Sequence, residues 1–326
     1  MISFSKSHLD RLASETGFLR DNLEKVMRLV GILSFLREND LLAQALALKG
    51  GTAINLTMFE MPRLSVDIDL DFNINCSRED MLIQRHEIND LVMRYMLSEG
   101  YTLMPGSKSP FSLDSWVFRY TNVSGNPDNI KIEINYSDRC HALPAEEKNI
   151  NVYPLEKAVV NTLNPIEIFA SKINALVNRG AMRDMYDVYN MLENRLFNNY
   201  EERNLLRKVF VFYRSVGAMS KAEEVNLQFA PHARIQAVGY PQVRAQLMPM
   251  LRRGDLFDFE RAKNDVLAFL SSFLQFDEKE QLFVNHFNRR DYRPEILFGQ
   301  GDIAARVALH PMALWKCRPK EQCQGG

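Results

Sequence analysis

Residues 64–72 read "LSVDIDLDF", and the reading of that stretch decides the fold. Val66, Ile68, Leu70 and Phe72 alternate with Asp67, Asp69 and Asp71, the period-two pattern of a strand with one buried face. Three carboxylates then share the other face, neighbours roughly 7 Å apart along the strand. Like charges at that spacing repel, and more strongly as water is excluded. Either the face is fully solvated or something cationic sits on it.

Upstream, the apolar piece "ALALK" (45–49) ends in Gly50–Gly51, and "TAINLTMF" (52–59) carries helical spacing with Thr52 as its N-terminal residue. A glycine pair between a strand and a helix lets a ligand approach the backbone, and free amides at a helix start attract phosphate. A loop containing Pro62 leads into the acidic strand. Two carboxylates at i and i+2 on a strand can share divalent cations, which would explain the crowding at Asp67 and Asp69. A phosphate cradle followed by an acid pair describes Mg²⁺-dependent nucleotidyl transfer from an NTP, with Mn²⁺ as a second candidate ion.

Downstream, "NIKIEINY" (129–136) alternates Ile130, Ile132 and Ile134 with Lys131, Glu133 and Asn135. Glu133 is the candidate third metal ligand. Taken alone, the segment reads equally as an ordinary strand showing a lysine and a glutamate to water, and both readings stay open.

Helical spacing covers 6–38 and 78–98, and strand-like stretches lie near 101–104, 115–121 and 130–136. From Pro165 the pattern is helical over 165–178, 183–193, 200–216 and again from about 258. The segment 224–256, with Pro231, Pro241 and Pro249, reads as a long loop or broken helices. Strands early and helices late predict an α+β protein, a mixed sheet flanked by helices with a mainly helical C-terminal part. The expected division is a core over 1–160, including the N-terminal helices, and a helical domain over 161–326.

The 326 residues are 46% hydrophobic and 25% charged, ordinary for a globular chain. The net charge of −1 is uneven. Residues 1–200 hold 21 Lys+Arg against 26 Asp+Glu, and 201–326 hold 19 against 15. Clusters at Arg207–Lys208, Arg252–Arg253 and Arg289–Arg290–Arg293 read as a solvated helical surface or, more sharply, a groove for a polyanion. Cys76, Cys140, Cys317 and Cys323 form no CxxC pair, which argues against a zinc site or disulfide framework. No signal pattern opens the chain and no apolar run reaches membrane-spanning length, so a cytoplasmic protein without membrane contact is expected.

In combination, Gly-Gly-Thr, "RLSVDIDL" (63–70), "KIEI" (131–134) and "EIFASKINALVNRGAMRDMYDVYNM" (167–191) resemble the AbiEii/AbiGii toxin family of nucleotidyltransferases, a branch of the DNA-polymerase-β-like superfamily. "HPMALWK" (310–316) is also similar to family C-termini. The resemblance covers roughly residues 15–195 and implies a nucleotidyltransferase fold, with helices 165–191 completing the active site. It implies that Gly50, Gly51 and Thr52 bind nucleotide, that Lys172 contacts its phosphates, and that Asp184 is a catalytic or structural acid. Arg183 and Asp187 fall at matching positions without a fixed role, and Asp71 is expected to support the strand end or face solvent. The gap between the glycines and the acid pair is longer than the family pattern, with "TMFEMP" (57–62) as additional loop.

The resemblance further implies a toxin from a toxin–antitoxin or phage-defence pair, with an antitoxin protein as partner and RNA such as the tRNA 3′ end as acceptor. Two alternatives stay open. One is a nucleotidyltransferase acting on a small molecule or protein. The other is a catalytically inactive nucleotide-binding interaction protein.

Overall fold

The structure, a computed structural model, describes residues 4–217, 224–229 and 231–318, without the side chains of 231–233. It divides into two compact units. The first comprises Met1–Arg139, Ala145–Leu163 and Met248–Leu256, and the second Cys140–Pro144, Asn164–Leu247 and Phe257–Gly326.

The first unit is built on one mixed sheet of strands β1 (Leu46–Lys49), β2 (Asp67–Phe72), β3 (Thr102–Leu103), β4 (Leu113–Thr121), β5 (Pro127–Asn135), β6 (Glu146–Ile150) and β7 (Ala158–Thr162), in the order β3-β4-β5-β2-β1-β7-β6. The α+β expectation holds. β2 lies between β1, antiparallel to it, and β5, parallel to it, so the acidic strand is central. Its apolar positions Ile68, Leu70 and Phe72 are buried with Ile130, Ile132 and Ile134 of β5. Helices α1 (Lys6–Thr16), α2 (Arg20–Glu38), α3 (Asp40–Ala45), α4 (Gly50–Ala53) and α5 (Arg78–Ser98) complete the unit. From α5, Arg85 reaches Asp114 of β4 (2.6 Å), and Asp114 is wholly buried on the same sheet face as Ile134. The apolar face is therefore the helix-covered one, and alternation turns Asp67 and Asp69 to the other.

Three departures from the sequence reading have physical causes. The helix over 6–38 is two helices, because Ser5 caps the first and Gly17, at φ 78°, ends it. Strands β6 and β7 were not anticipated: "EEKNI" is charged and lies at the sheet edge, where charge blocks further pairing. The segment 224–256 is broken helices for much of its length. Its end, Met248–Leu256, returns to the first unit as a strap, where the Met250 carbonyl accepts from the Leu64 amide (2.8 Å) and Arg252 donates to the Glu60 carbonyl (3.1 Å). The additional loop before β2 is thus fastened in place.

The second unit is helical: α6 (Pro165–Arg179), α7 (Met182–Glu193), α8 (Tyr200–Val216), α9 (Pro231–Gln236), α10 (Tyr240–Gln242), α11 (Phe259–Phe273), α12 (Glu278–Asn288), α13 (Pro294–Phe298), α14 (Asp302–Val307) and α15 (Pro311–Cys317). Phe210, Phe212, Phe273 and Phe283 lie in its core. Among the described residues Cys76, Cys140 and Cys317 form no disulfide, and Cys323 lies outside them. No helix among the described residues is long and apolar enough to cross a membrane.

Candidate active site

Sheet register assembles the acidic face. In the antiparallel β1–β2 pair, Lys49 stands opposite Asp69. In the parallel β2–β5 pair, Asp67 lies beside Lys131, Asp69 beside Glu133 and Asp71 beside Asn135. Ser115 of β4 lies opposite Glu133. Asp67, Asp69 and Glu133, the three carboxylates the sequence singled out, therefore sit on adjacent positions of one face.

The glycine pair closes in on this face. Gly50 adopts φ +71°, a conformation that L side chains rarely take, and a Cβ there would stand 2.6 Å from Asp69 Oδ2. At Gly51 a Cβ would meet Arg63 Nη2 at 2.7 Å and Ser65 Oγ at 2.9 Å. Both Arg63 and Ser65 are buried. The helix opens at Gly50, two residues earlier than the sequence spacing predicted, and continues as a π-helical turn over Ile54–Met58. Thr52 is wholly buried, and its hydroxyl donates to the Asp67 carbonyl at 2.5 Å. That bond ties the start of β2 to the glycine turn and leaves the Thr52 hydroxyl engaged. Asn55 Nδ2 donates to the Gly51 carbonyl (2.8 Å), holding the turn from the other side.

Two lysines share the face with the acids. Lys49 is ion-paired with Asp71, which is 3% exposed, so Asp71 is a buried partner and not a solvated strand end. Burial pushes the Lys49 ammonium down, but Asp71, Asp138 and Asp69 outweigh it and hold the group above the ordinary lysine value. Lys131 Nζ lies 2.9 Å from Glu133 Oε2. Burial again works against its charge, and the bond to Glu133 with the charges of Asp67 and Asp69 overcomes it. Glu133 is the mirror case. Burial raises it, while Lys131, the Ser115 hydrogen bond and Lys49 pull it below the usual glutamate range.

The donor set suits a hard divalent cation: carboxylate oxygens at i and i+2, one of them lodged against a glycine whose Cβ would fill the space. Asp67 and Asp69 fit that role. Among the described residues no three His, Cys, Asp or Glu side chains are gathered into a ready-made metal cluster, and Glu133 is engaged by Lys131.

In the second unit, Lys172 of α6 lies 3.0 Å from Asp184 and 3.2 Å from Asp187, both of α7. Arg179 adds a 2.7 Å contact to Asp184. Both aspartates are nearly inaccessible, at 2% and 1% exposure. Asp184 stands in the first turn of α7, where the helix dipole favours a negative charge. Lys172, Asp184 and Asp187 thus form a largely buried ion cluster joining two helices, and the exposed Arg179 adds to it from outside. Tyr186 and Tyr189 pack edge-on against Phe257, with centroids 5.2 and 6.0 Å away. His310 caps α15 by accepting from the Ala313 amide (3.4 Å), so "HPMALWK" is a helix start.

Lys49, Ser115, Arg63 and Ser65 carried no signal in the sequence reading. Lys49 and Ser115 reach the face only through strand pairing, which a linear pattern does not contain. Arg63 and Ser65 precede the strand and matter because of what they pack against.

A family model described as "Nucleotidyl transferase AbiEii toxin, Type IV TA system" matches residues 34–281. No curated protein matches. Among solved structures, MenT4, a nucleotidyltransferase toxin from Mycobacterium tuberculosis H37Rv, is similar with a TM-score of 0.61 at 16% sequence identity, covering 92% of this chain and 100% of that one. At that identity the likeness speaks to the fold.

Proposed function

The chain belongs to the AbiEii nucleotidyltransferase toxin family of type IV toxin–antitoxin systems, and from that premise we propose that it transfers an NMP from an NTP to a hydroxyl acceptor on RNA, such as the tRNA 3′ end, in a Mg²⁺-dependent reaction. The observation that carries the reading is the Asp69 carboxylate lodged against Gly50, with Asp67 on the same face and Glu133 in the next strand. Asp67 and Asp69 would hold the ion, with Glu133 as third donor. When bound, it would supply charge neutralisation at the triphosphate and a more acidic acceptor hydroxyl. Mn²⁺ offers the same hard-ion chemistry. Gly50, Gly51 and Thr52 are assigned to the nucleotide on the family pattern, with the Thr52 hydroxyl held on the Asp67 carbonyl. Lys172 is assigned to the nucleotide's phosphates on the family pattern, and Asp184 to holding that lysine, a role their 3.0 Å contact supports. A cognate antitoxin protein is the expected partner.

The test is incubation of the protein with each α-labelled NTP, Mg²⁺ and total tRNA beside Asp69→Asn. The expected result is label on RNA with the wild type alone, and a variant that stays folded. Label on a small molecule or on protein would replace the acceptor and keep the enzyme. No transfer, with no thermal shift from any NTP, would leave an interaction protein that keeps the fold without the chemistry.

A further inference from the structure

Lys131 shares the acidic face with the candidate metal donors. Its Cα pairs with that of Asp67, its ammonium reaches Glu133 at 2.9 Å, and Glu133 in turn pairs with Asp69. One positive charge therefore touches one candidate donor and feels the charges of the other two. Lys49, the other lysine of the face, is committed to Asp71, whose side chain is 4% exposed. Lys131 is 38% exposed and, among the described residues, is ion-paired with Glu133, whose side chain is itself 28% exposed, so the pair is open to solvent on one side. An ammonium and a divalent cation cannot share the same carboxylate oxygens without strong like-charge repulsion.

We propose that Lys131 is a built-in competitor for the metal: its ammonium neutralises the acidic face in the metal-free enzyme and must leave Glu133 before that acid can join Asp67 and Asp69 as a third donor. This rests on the metal-site reading above and adds a positioning residue that acts on the metal through Glu133. It accounts for the absence of a ready-made three-donor cluster among the described residues. It also makes the bare protein a weak metal binder. Loading is favoured when a triphosphate arrives, because the triphosphate brings oxygen donors for the metal and new acceptors for the displaced ammonium.

The experiment is a Mn²⁺ titration of the full chain without nucleotide, read by loss of the free-ion electron paramagnetic resonance signal. It compares the wild type with Lys131→Met, Lys131→Arg and Asp69→Asn. Removing a charge a few ångströms from a dication should tighten Mn²⁺ binding by about ten-fold in Lys131→Met, whereas Lys131→Arg, which keeps the charge, should stay within about two-fold of the wild type. Asp69→Asn should lose binding. Unchanged or weaker binding in Lys131→Met, with Asp69→Asn still defective, overturns the competitor role and leaves the metal site standing. If the wild type and Lys131→Met both bind no Mn²⁺ in an Asp69-dependent way, even with a non-hydrolysable NTP analogue, the metal-site reading fails and this inference with it. Because Lys131 is substantially exposed, neither substitution threatens folding.

Discussion

Gly50 concentrates more constraint than any other residue of the acidic face. Its φ of +71° would burden an L residue, and its Cα is so close to Asp69 that a Cβ would stand 2.6 Å from the carboxylate. Gly50→Ala should lose about 2 kcal/mol from backbone strain alone. Asparagine tolerates positive φ, so Gly50→Asn separates the two effects. It should recover much of the stability in urea unfolding yet still fail to bind Mn²⁺, because its Cβ meets Asp69 as alanine's does. A Gly50→Asn variant with full metal affinity would mean that the close approach is irrelevant to the site. The glycine pair, Asp67 and Asp69 were legible from types and spacing alone. The occupancy of Glu133 by Lys131 was not, because alternation puts both on one face without saying whether they join.

At the level of elements, the decisive facts are pairings. The linear pattern identified β1, β2 and β5 as strands, and their register, which sets Lys49 opposite Asp69 and Glu133 beside it, came only from the structure. Helices α6, α7 and α8 were readable nearly to their ends, since capping and apolar period are local signals: Asn164 caps α6 and Asn199 caps α8. What joins α6 to α7 was not readable as a network. Lys172 lies between two buried aspartates, so its removal leaves them facing each other with the exposed Arg179 as the counter-charge on Asp184. Lys172→Met should therefore destabilise the chain by about 3 kcal/mol, the scale of breaking a buried ion pair on one side. A residue needed for phosphate binding should in addition lose transfer in Lys172→Arg, which keeps a cation for the aspartates and should melt close to the wild type. Loss of stability in both variants with transfer intact in Lys172→Arg would confine Lys172 to the architecture. Wild-type melting of Lys172→Met would show that the ion network does not hold the helices together.

Across the whole molecule, the excess of basic residues in the last third suggested a polyanion groove, and that reading weakens once partners are traced. Arg207 is held at 2.7 Å by Glu280, which is wholly buried, and Arg293 lies 2.8 Å from Asp291. Arg290 donates to the Arg318 carbonyl, and Arg252 lies over the Phe18 ring while bonding to the Glu60 carbonyl. Composition counts these charges, but it cannot tell that Arg207 and Arg293 already hold carboxylate partners within the fold. An RNA acceptor would therefore displace fewer counterions than the composition implies, since a charge committed to an internal carboxylate does not neutralise a phosphate. If the acceptor is RNA, the logarithm of its apparent affinity in steady-state transfer should fall against the logarithm of salt with a slope of about −1 to −3 between roughly 50 and 200 mM KCl. An extended basic groove with six or more phosphate contacts would give a slope of about −5 or steeper. A steep slope would mean that the acceptor opens the internal pairs on binding, and Arg207 and Arg293 would then be the side chains to substitute. A flat slope with efficient transfer to RNA would place recognition in stacking and shape rather than in charge.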